Sequence, residues 1–175
     1  LQGVHENRLR ISAFSGSGIE TTFTQGEDQC LASMVPDLPA ASEGAQRLMV
    51  VGTLADIIEE QFRRHFAQLG IADVDFFPAA RADDLPPVGP GTRLLLAQPY
   101  LSDTVTALCK RGAKLVSAPY PLGVEGTLAW FQAAAAEWGH SADAVRDALA
   151  IPMARAQKSL AKVRESLQGR TIHFL

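Results

Sequence analysis

Cysteine is the side chain best suited to hold iron or zinc, and this chain has two, Cys30 and Cys109. Two thiols without a C-x-x-C spacing make neither a disulfide scaffold nor a closed four-thiolate metal site. They read as small buried apolar residues in a reducing compartment, or as single ligands to a site shared with another chain. The histidines His5, His65, His140 and His173 are scattered, with no second metal-type ligand beside them in sequence. A nucleophilic serine would need a G-x-S-x-G elbow between a strand and a helix, and none occurs. Asp83 and Asp84 are adjacent on a proline-rich loop, so their side chains diverge into solvent rather than form an acid–base pair.

Three loops have the composition to meet a ligand. Ser15 to Gln25 reads SGSGIETTFTQ. It holds GSG but neither the dinucleotide nor the phosphate-loop signature, so it is a turn needing positive φ or a close backbone approach to a ligand. Ala97-Gln98-Pro99-Tyr100 ends a strand on a proline. Ala118 to Thr127 carries two prolines and two glycines. Gly126 and Thr127 are placed at a helix start, where free N–H groups can hold an anion. Glu125 beside them either favours the helix dipole or contacts a ligand or an interface. Trp130 and Trp138 are read as core anchors rather than as a cofactor stack.

These loops need strands and helices to hold them. Arg8 to Phe14 alternates polar and apolar residues, as a short strand does. Thr24, with Glu27 three residues on, predicts a helix through Ala32 to Met34, broken by Val35-Pro36-Asp37-Leu38-Pro39. Residues 40–46 are small and polar and read as a domain boundary. A regular alternation follows. Leu48 to Gly52 is an apolar run fit for a strand buried on both faces. Thr53 would cap a helix to Leu69, whose apolar residues recur at spacings of three and four. Strands are expected at Ile71 to Phe77, Arg93 to Gln98 and Ala113 to Ser117. Ser102 would cap a helix to Arg111, and another is expected at 125–138. Ser141 would cap a helical stretch over 142–168 interrupted by Pro152. Thr171 to Leu175 reads as a last strand. Strands alternating with helices give an α/β fold, a Rossmann-like open parallel sheet.

Composition sets the outer bounds. The chain has 175 residues, 47% of them apolar, and a net charge of −3. That suits one domain or one and a piece, and argues against disorder. The dispersed, mildly acidic charge gives no support for a nucleic-acid partner or a polybasic membrane surface. No apolar run approaches the roughly 18 residues a spanning helix needs, and no signal-peptide pattern occurs. The first residue is Leu1 rather than Met, and both ends read as cuts in a longer chain.

Four segments, taken as strings, resemble one family. They are GSGIETTFTQGEDQCLASMVP (Gly16 to Pro36), VVGTLADIIEEQ (Val50 to Gln61), LPPVGPGTRLLLAQPYL (Leu85 to Leu101) and APYPLGVEGTLAW (Ala118 to Trp130). The chain resembles the N subunit of light-independent protochlorophyllide reductase, a nitrogenase-like enzyme. The resemblance implies a nitrogenase component 1-like fold: the end of a first Rossmann-like domain at 1–40, a middle domain at 41–168, and the first strand of a third at 169–175. It implies reduction of one ring double bond of protochlorophyllide to chlorophyllide. Electrons would come from a separate ATP-hydrolysing iron–sulfur protein and pass through a [4Fe–4S] cluster held between N and B subunits in a heterotetramer.

In the family the cluster cysteines precede the stretch that Arg8 to Pro36 matches, and a B-subunit carboxylate completes the set. Neither Cys30 nor Cys109 inherits a ligand role. The resemblance leaves this chain a share of the tetrapyrrole cavity, with Phe23, Tyr120 and Leu122 as apolar wall and Thr22, Glu125 and Thr127 as polar contacts. Its expected location is the cytoplasm, or the stroma of a plastid. The alternatives are a subunit of another nitrogenase-like reductase, such as chlorophyllide reductase, or a stand-alone Rossmann-like binding domain with no redox role.

Overall fold

A computed structural model of the chain describes residues 22–42, 44, 46–81 and 83–171. The strands expected at Arg8 to Phe14 and Thr171 to Leu175, the Gly16 to Gly18 turn and His173 fall wholly or largely outside that set. The described chain forms two compact units. The first takes residues up to Glu60 together with Asp73–Ser117, and the second takes Gln61–Ala72 with the residues from Ala118 onward.

The first unit is built on four parallel strands: β1 (Arg47–Val51), β2 (Val74–Phe77), β3 (Thr92–Leu96) and β4 (Lys114–Leu115). Their order is β2-β1-β3-β4. Val50 sits opposite Phe76 on one side and Leu95 on the other, so β1 is central. Leu48, Met49, Val50 and Val51 are fully buried, which is why this strand reads as an unbroken apolar run. Each such side chain contributes about 1.5–3 kcal/mol of burial. The edge strand β4 is two residues long, shorter than the expected Ala113 to Ser117, and both residues are exposed. A short edge bearing a lysine resists pairing with another chain. β2 also starts late, at Val74 rather than Ile71.

Two helices cover one face of the sheet: α1 (Phe23–Met34), which runs into a 3₁₀ turn at Val35–Asp37, and α3 (Ser102–Lys110). Leu31, Val35 and Leu38 share one apolar cluster with Met49, Val51, Phe77, Leu94 and Leu108. The segment at 40–46, read as a boundary, therefore joins α1 to a sheet whose core α1 already shares. The cap of α1 is Thr22, not Thr24. Thr22 lies in extended backbone, its hydroxyl accepts from the Gln25 amide, and the Gln25 side chain accepts from the Thr22 amide at 2.8 Å. Gln25, not Glu27, closes this capping box.

The helix α2 (Asp56–Gln68) begins three residues after Thr53, the expected cap. Thr53 instead donates its amide to Gln98 Oε1 at 2.9 Å. Of α2, Asp56 to Glu60 belong to the first unit and Gln61 to Gln68 to the second.

The second unit adds α4 (Gly123–Ala136), α5 (Ala142–Ala148) and α6 (Ala150–Leu167). Its core is a ring cluster. Phe62, Phe66 and Phe131 surround the fully buried Trp130 at centroid separations of 4.8, 5.6 and 5.1 Å. Trp130 is thus a core anchor, as expected. Trp138 is only partly buried. The expected break lies at Leu149, and Pro152 occupies the first turn of α6, where a missing amide costs nothing.

Serine caps give a contrasting pair of predictions. Ser141 caps α5, its hydroxyl accepting from the Ala144 amide at 3.2 Å. Ser141→Ala should lower stability by about 1 kcal/mol. Ser102, the cap expected for α3, makes no cap bond, and Leu101 holds that position. Ser102→Ala should therefore change stability by less than about 0.5 kcal/mol. Urea unfolding midpoints of the two variants test the contrast.

Candidate functional site

Open parallel sheets bind ligands beyond the carboxyl ends of their strands, in the crevice where the strand order reverses. In this sheet the reversal lies between β1 and β3. That crevice is filled from within. Gly52 follows β1 at φ +146°, and a Cβ there would sit 3.1 Å from Gln98 Cγ and 3.3 Å from the Ala97 Cβ. Gln98 reaches across to take the Thr53 amide. Gly52→Ala meets both the backbone and the packing penalty and should cost about 2–3 kcal/mol. A guanidinium unfolding midpoint within error of wild type would show that Gln98 gives way.

The open cleft lies at the amino ends of α1 and α3, beside the end of β3. It encloses about 440 Å³ and is lined by Thr22, Thr24, Gln25, Gln29, Tyr100, Ser102 and Asp103. Its floor is Asp28, which is 5% exposed. The Asp28 carboxylate accepts from the Asp103 amide at 2.8 Å, the Thr104 amide at 2.8 Å and the Thr104 hydroxyl at 2.6 Å. Ser102 Oγ adds a bond at 3.4 Å. A carboxylate from α1 is thus the cap of α3. Burial pushes the Asp28 carboxyl up, but the Thr104 hydroxyl and the two amides outweigh it, and the net shift is downward.

The other end of the pair is closed by a base. Arg111, just after α3, donates from Nη1 to the carbonyls of Val35 and Leu38, both at 2.7 Å. An acid at the amino end of α3 and a base at the carboxyl end of α1 both match the helix dipoles.

Thr22 caps α1 on the wall of this cleft, and Phe23 beside it is 87% exposed. The other four expected contacts belong to the second unit. Leu122 is 73% exposed and precedes α4. Thr127 lines an apolar groove of about 440 Å³ with Phe62, His65, Phe131 and Leu160. Glu125 is exposed on a separate, more polar groove with Arg164. Tyr120 is partly buried, and its carbonyl accepts the Leu122 amide at 2.8 Å. Because α4 starts at Gly123, Gly126 and Thr127 lie past the free amides of the first turn, against expectation. Gly126 has a different reason to lack a side chain: a Cβ there would sit 2.9 Å from the Tyr120 carbonyl oxygen. Along α6, Leu160, Val163 and Leu167 are exposed at spacings of three and four.

Sequence reasoning did not find Asp28, Gln29 or Asp103. Asp28 lies mid-helix, where an acid ordinarily faces solvent, and its partners are more than seventy positions away, at separations of 74 to 76. Both cysteines are free, but against expectation neither is fully buried: Cys30 is half-buried and Cys109 is exposed. Among the described residues no group of three His, Cys, Asp or Glu is placed to hold a metal ion. No described helix is long and apolar enough to cross a membrane.

Fold and cleft together define an α/β unit whose all-parallel sheet presents a polar cleft at its carboxyl edge. The family description "Nitrogenase component 1 type Oxidoreductase" matches residues 2–174, and the chain belongs to that family. It is 53% identical over 175 residues to the light-independent protochlorophyllide reductase subunit N of Halorhodospira halophila, covering 100% of this chain and 41% of that protein. It is 54% identical over 167 residues to the subunit N of Rubrivivax gelatinosus, covering 95% of this chain and 39% of that protein. The Acidiphilium rubrum subunit N is 54% identical over 165 residues, covering 94% of this chain and 39% of that protein. The chain thus spans about two fifths of the length of these relatives.

Proposed function

We propose that the chain is part of an N subunit of the component that reduces protochlorophyllide to chlorophyllide. The observation that carries this reading is identity above one half, sustained over the whole chain, to a relative named for that reaction. In this reading the chain works with a B subunit in a heterotetramer and receives electrons from a separate ATP-using iron–sulfur protein. A [4Fe–4S] cluster belongs to the full complex. The residues described here do not fit it, since Cys30 and Cys109 are not joined by further ligands. In this reading the described residues contribute binding and shaping.

Phe23 supplies apolar surface and Thr22 a polar contact in the first unit. Tyr120 and Leu122 supply apolar surface, and Glu125 and Thr127 polar contacts, in the second. An apolar macrocycle with a few peripheral oxygens asks for that mixture. Phe23 is nearly free of intramolecular packing, so Phe23→Ala should leave stability within about 0.5 kcal/mol of wild type while raising the KM for protochlorophyllide several-fold.

The reading as a whole is tested in the full-length subunit assembled with its partner and reductase. Protochlorophyllide and chlorophyllide are offered separately, and consumption is followed by absorbance. Loss of protochlorophyllide, dependent on ATP, is expected. Turnover of chlorophyllide alone would assign the chain to the other nitrogenase-like reductase. Turnover of neither would sink both.

A further inference from the structure

Tyr100 stands out in the described chain. Among the described residues it is the non-glycine residue at positive φ, +67°. Left-handed backbone is strained for a tyrosine and easy for glycine or asparagine. A fold tolerates such strain where the side chain gains something by it. Inside its own unit the Tyr100 ring gains little, for it is 71% exposed, while Ala97 and Leu101 on either side are 8% and 2% exposed. The buried flanks fix the turn, and the strained residue points its ring outward.

That ring lies on the wall of the cleft described above. The start of α3, which follows at once, is pinned, because Asp28 holds the amides of Asp103 and Thr104. The cleft is at the carboxyl edge of a parallel sheet, where ligands of such sheets bind. An exposed aromatic ring beside threonine, glutamine and serine side chains and the acids Asp28 and Asp103 suits the face of a flat conjugated ring, with hydrogen-bond donors near its peripheral oxygens.

We propose that Tyr100 is a substrate-contact residue, held at strained backbone by the Asp28 clamp so that its ring meets the face of the tetrapyrrole. This inference rests on the proposed function.

The test uses the full-length subunit assembled with its partner subunit, and titrates protochlorophyllide by absorbance. Tyr100→Gly removes both ring and strain, so Tm should stay level or rise while Kd increases about 5- to 10-fold, the range of aromatic stacking. Tyr100→Asn also tolerates this backbone and should behave alike, and Tyr100→Phe should stay within about twofold of wild type. Wild-type affinity in both the Gly and Asn variants overturns the inference. So does loss of subunit assembly without loss of affinity in the assembled fraction, which would make Tyr100 a protein contact. Absence of protochlorophyllide binding by the wild-type complex overturns the proposed function itself, and this inference with it.

Discussion

Asp28→Ala should destabilise the chain by about 2–4 kcal/mol, read as a lower midpoint at unchanged slope in urea unfolding. The carboxylate closes two amides at the start of α3 and one hydroxyl. Thr104 is fully buried; its hydroxyl keeps the carbonyl of residue 28 as an acceptor at 3.0 Å, but its amide loses the carboxylate once the acid is gone. Losing a cap costs about 1 kcal/mol, and leaving the buried Thr104 amide without its acceptor costs about 1–3 more. Thr104→Val removes the hydroxyl but keeps the charged cap, and should cost about 1–2 kcal/mol. The double variant should cost less than the sum, because the two residues share bonds.

Acid should reproduce part of the Asp28 effect. The folded carboxyl titrates below its ordinary value, so its contribution is complete above that value and is lost as pH falls through the depressed one. Wild type should lose stability on acidification below about pH 4, and Asp28→Asn should show a flatter profile there. Identical acid limbs for the two proteins would remove Asp28 from the account. The acid limb is unchanged by Ser102→Ala if, as the distances imply, Ser102 adds the weakest of the four bonds.

Trp130→Ala should cost about 4 kcal/mol, the other large effect. Trp130 is fully buried within three phenylalanine rings, and Phe131 meets it edge to face at 86°. Phe62 and Phe66 come from α2 and Trp130 and Phe131 from α4, so the vacancy would loosen the packing between two helices that sequence sets far apart. Trp130→Phe keeps a ring in the cluster and should cost about half as much. A loss below about 1.5 kcal/mol for the alanine variant would mean that the cluster collapses to refill the space.

The strands and helices were readable where each carries its own signal. Leu48 to Val51 is apolar at every position because both faces of β1 are covered. The α2 pattern at Phe62 and Phe66 marks a buried face, and Ser141 caps the helix it precedes. Boundaries were less readable wherever a distant group intervened. Thr53 and Ser102 look like caps, but Gln98 takes the first amide and Asp28 replaces the second. Thr22 holds the cap in place of Thr24, because it and Gln25 bond each other's amides in a reciprocal capping box. Of the four second-unit candidates, Tyr120 and Leu122 precede α4, Glu125 lies in its first turn and Thr127 past it. Which grooves Glu125 and Thr127 line depends on α6, which starts more than twenty residues later.

By itself, then, the sequence determined the α/β class, the order of its strands and helices along the chain, and the strings that tie it to its family. These are carried by hydrophobic periodicity and local residue identity, which act over a few positions. Only the tertiary structure decided where the cleft opens. It plugs the β1–β3 crevice with Gln98, floors the neighbouring cleft with Asp28, and sets Tyr100 in left-handed backbone on its rim. Each of those facts depends on groups brought together from separate elements. Hydrogen bonds and packing that span 45 to 76 positions leave no periodic trace in the chain.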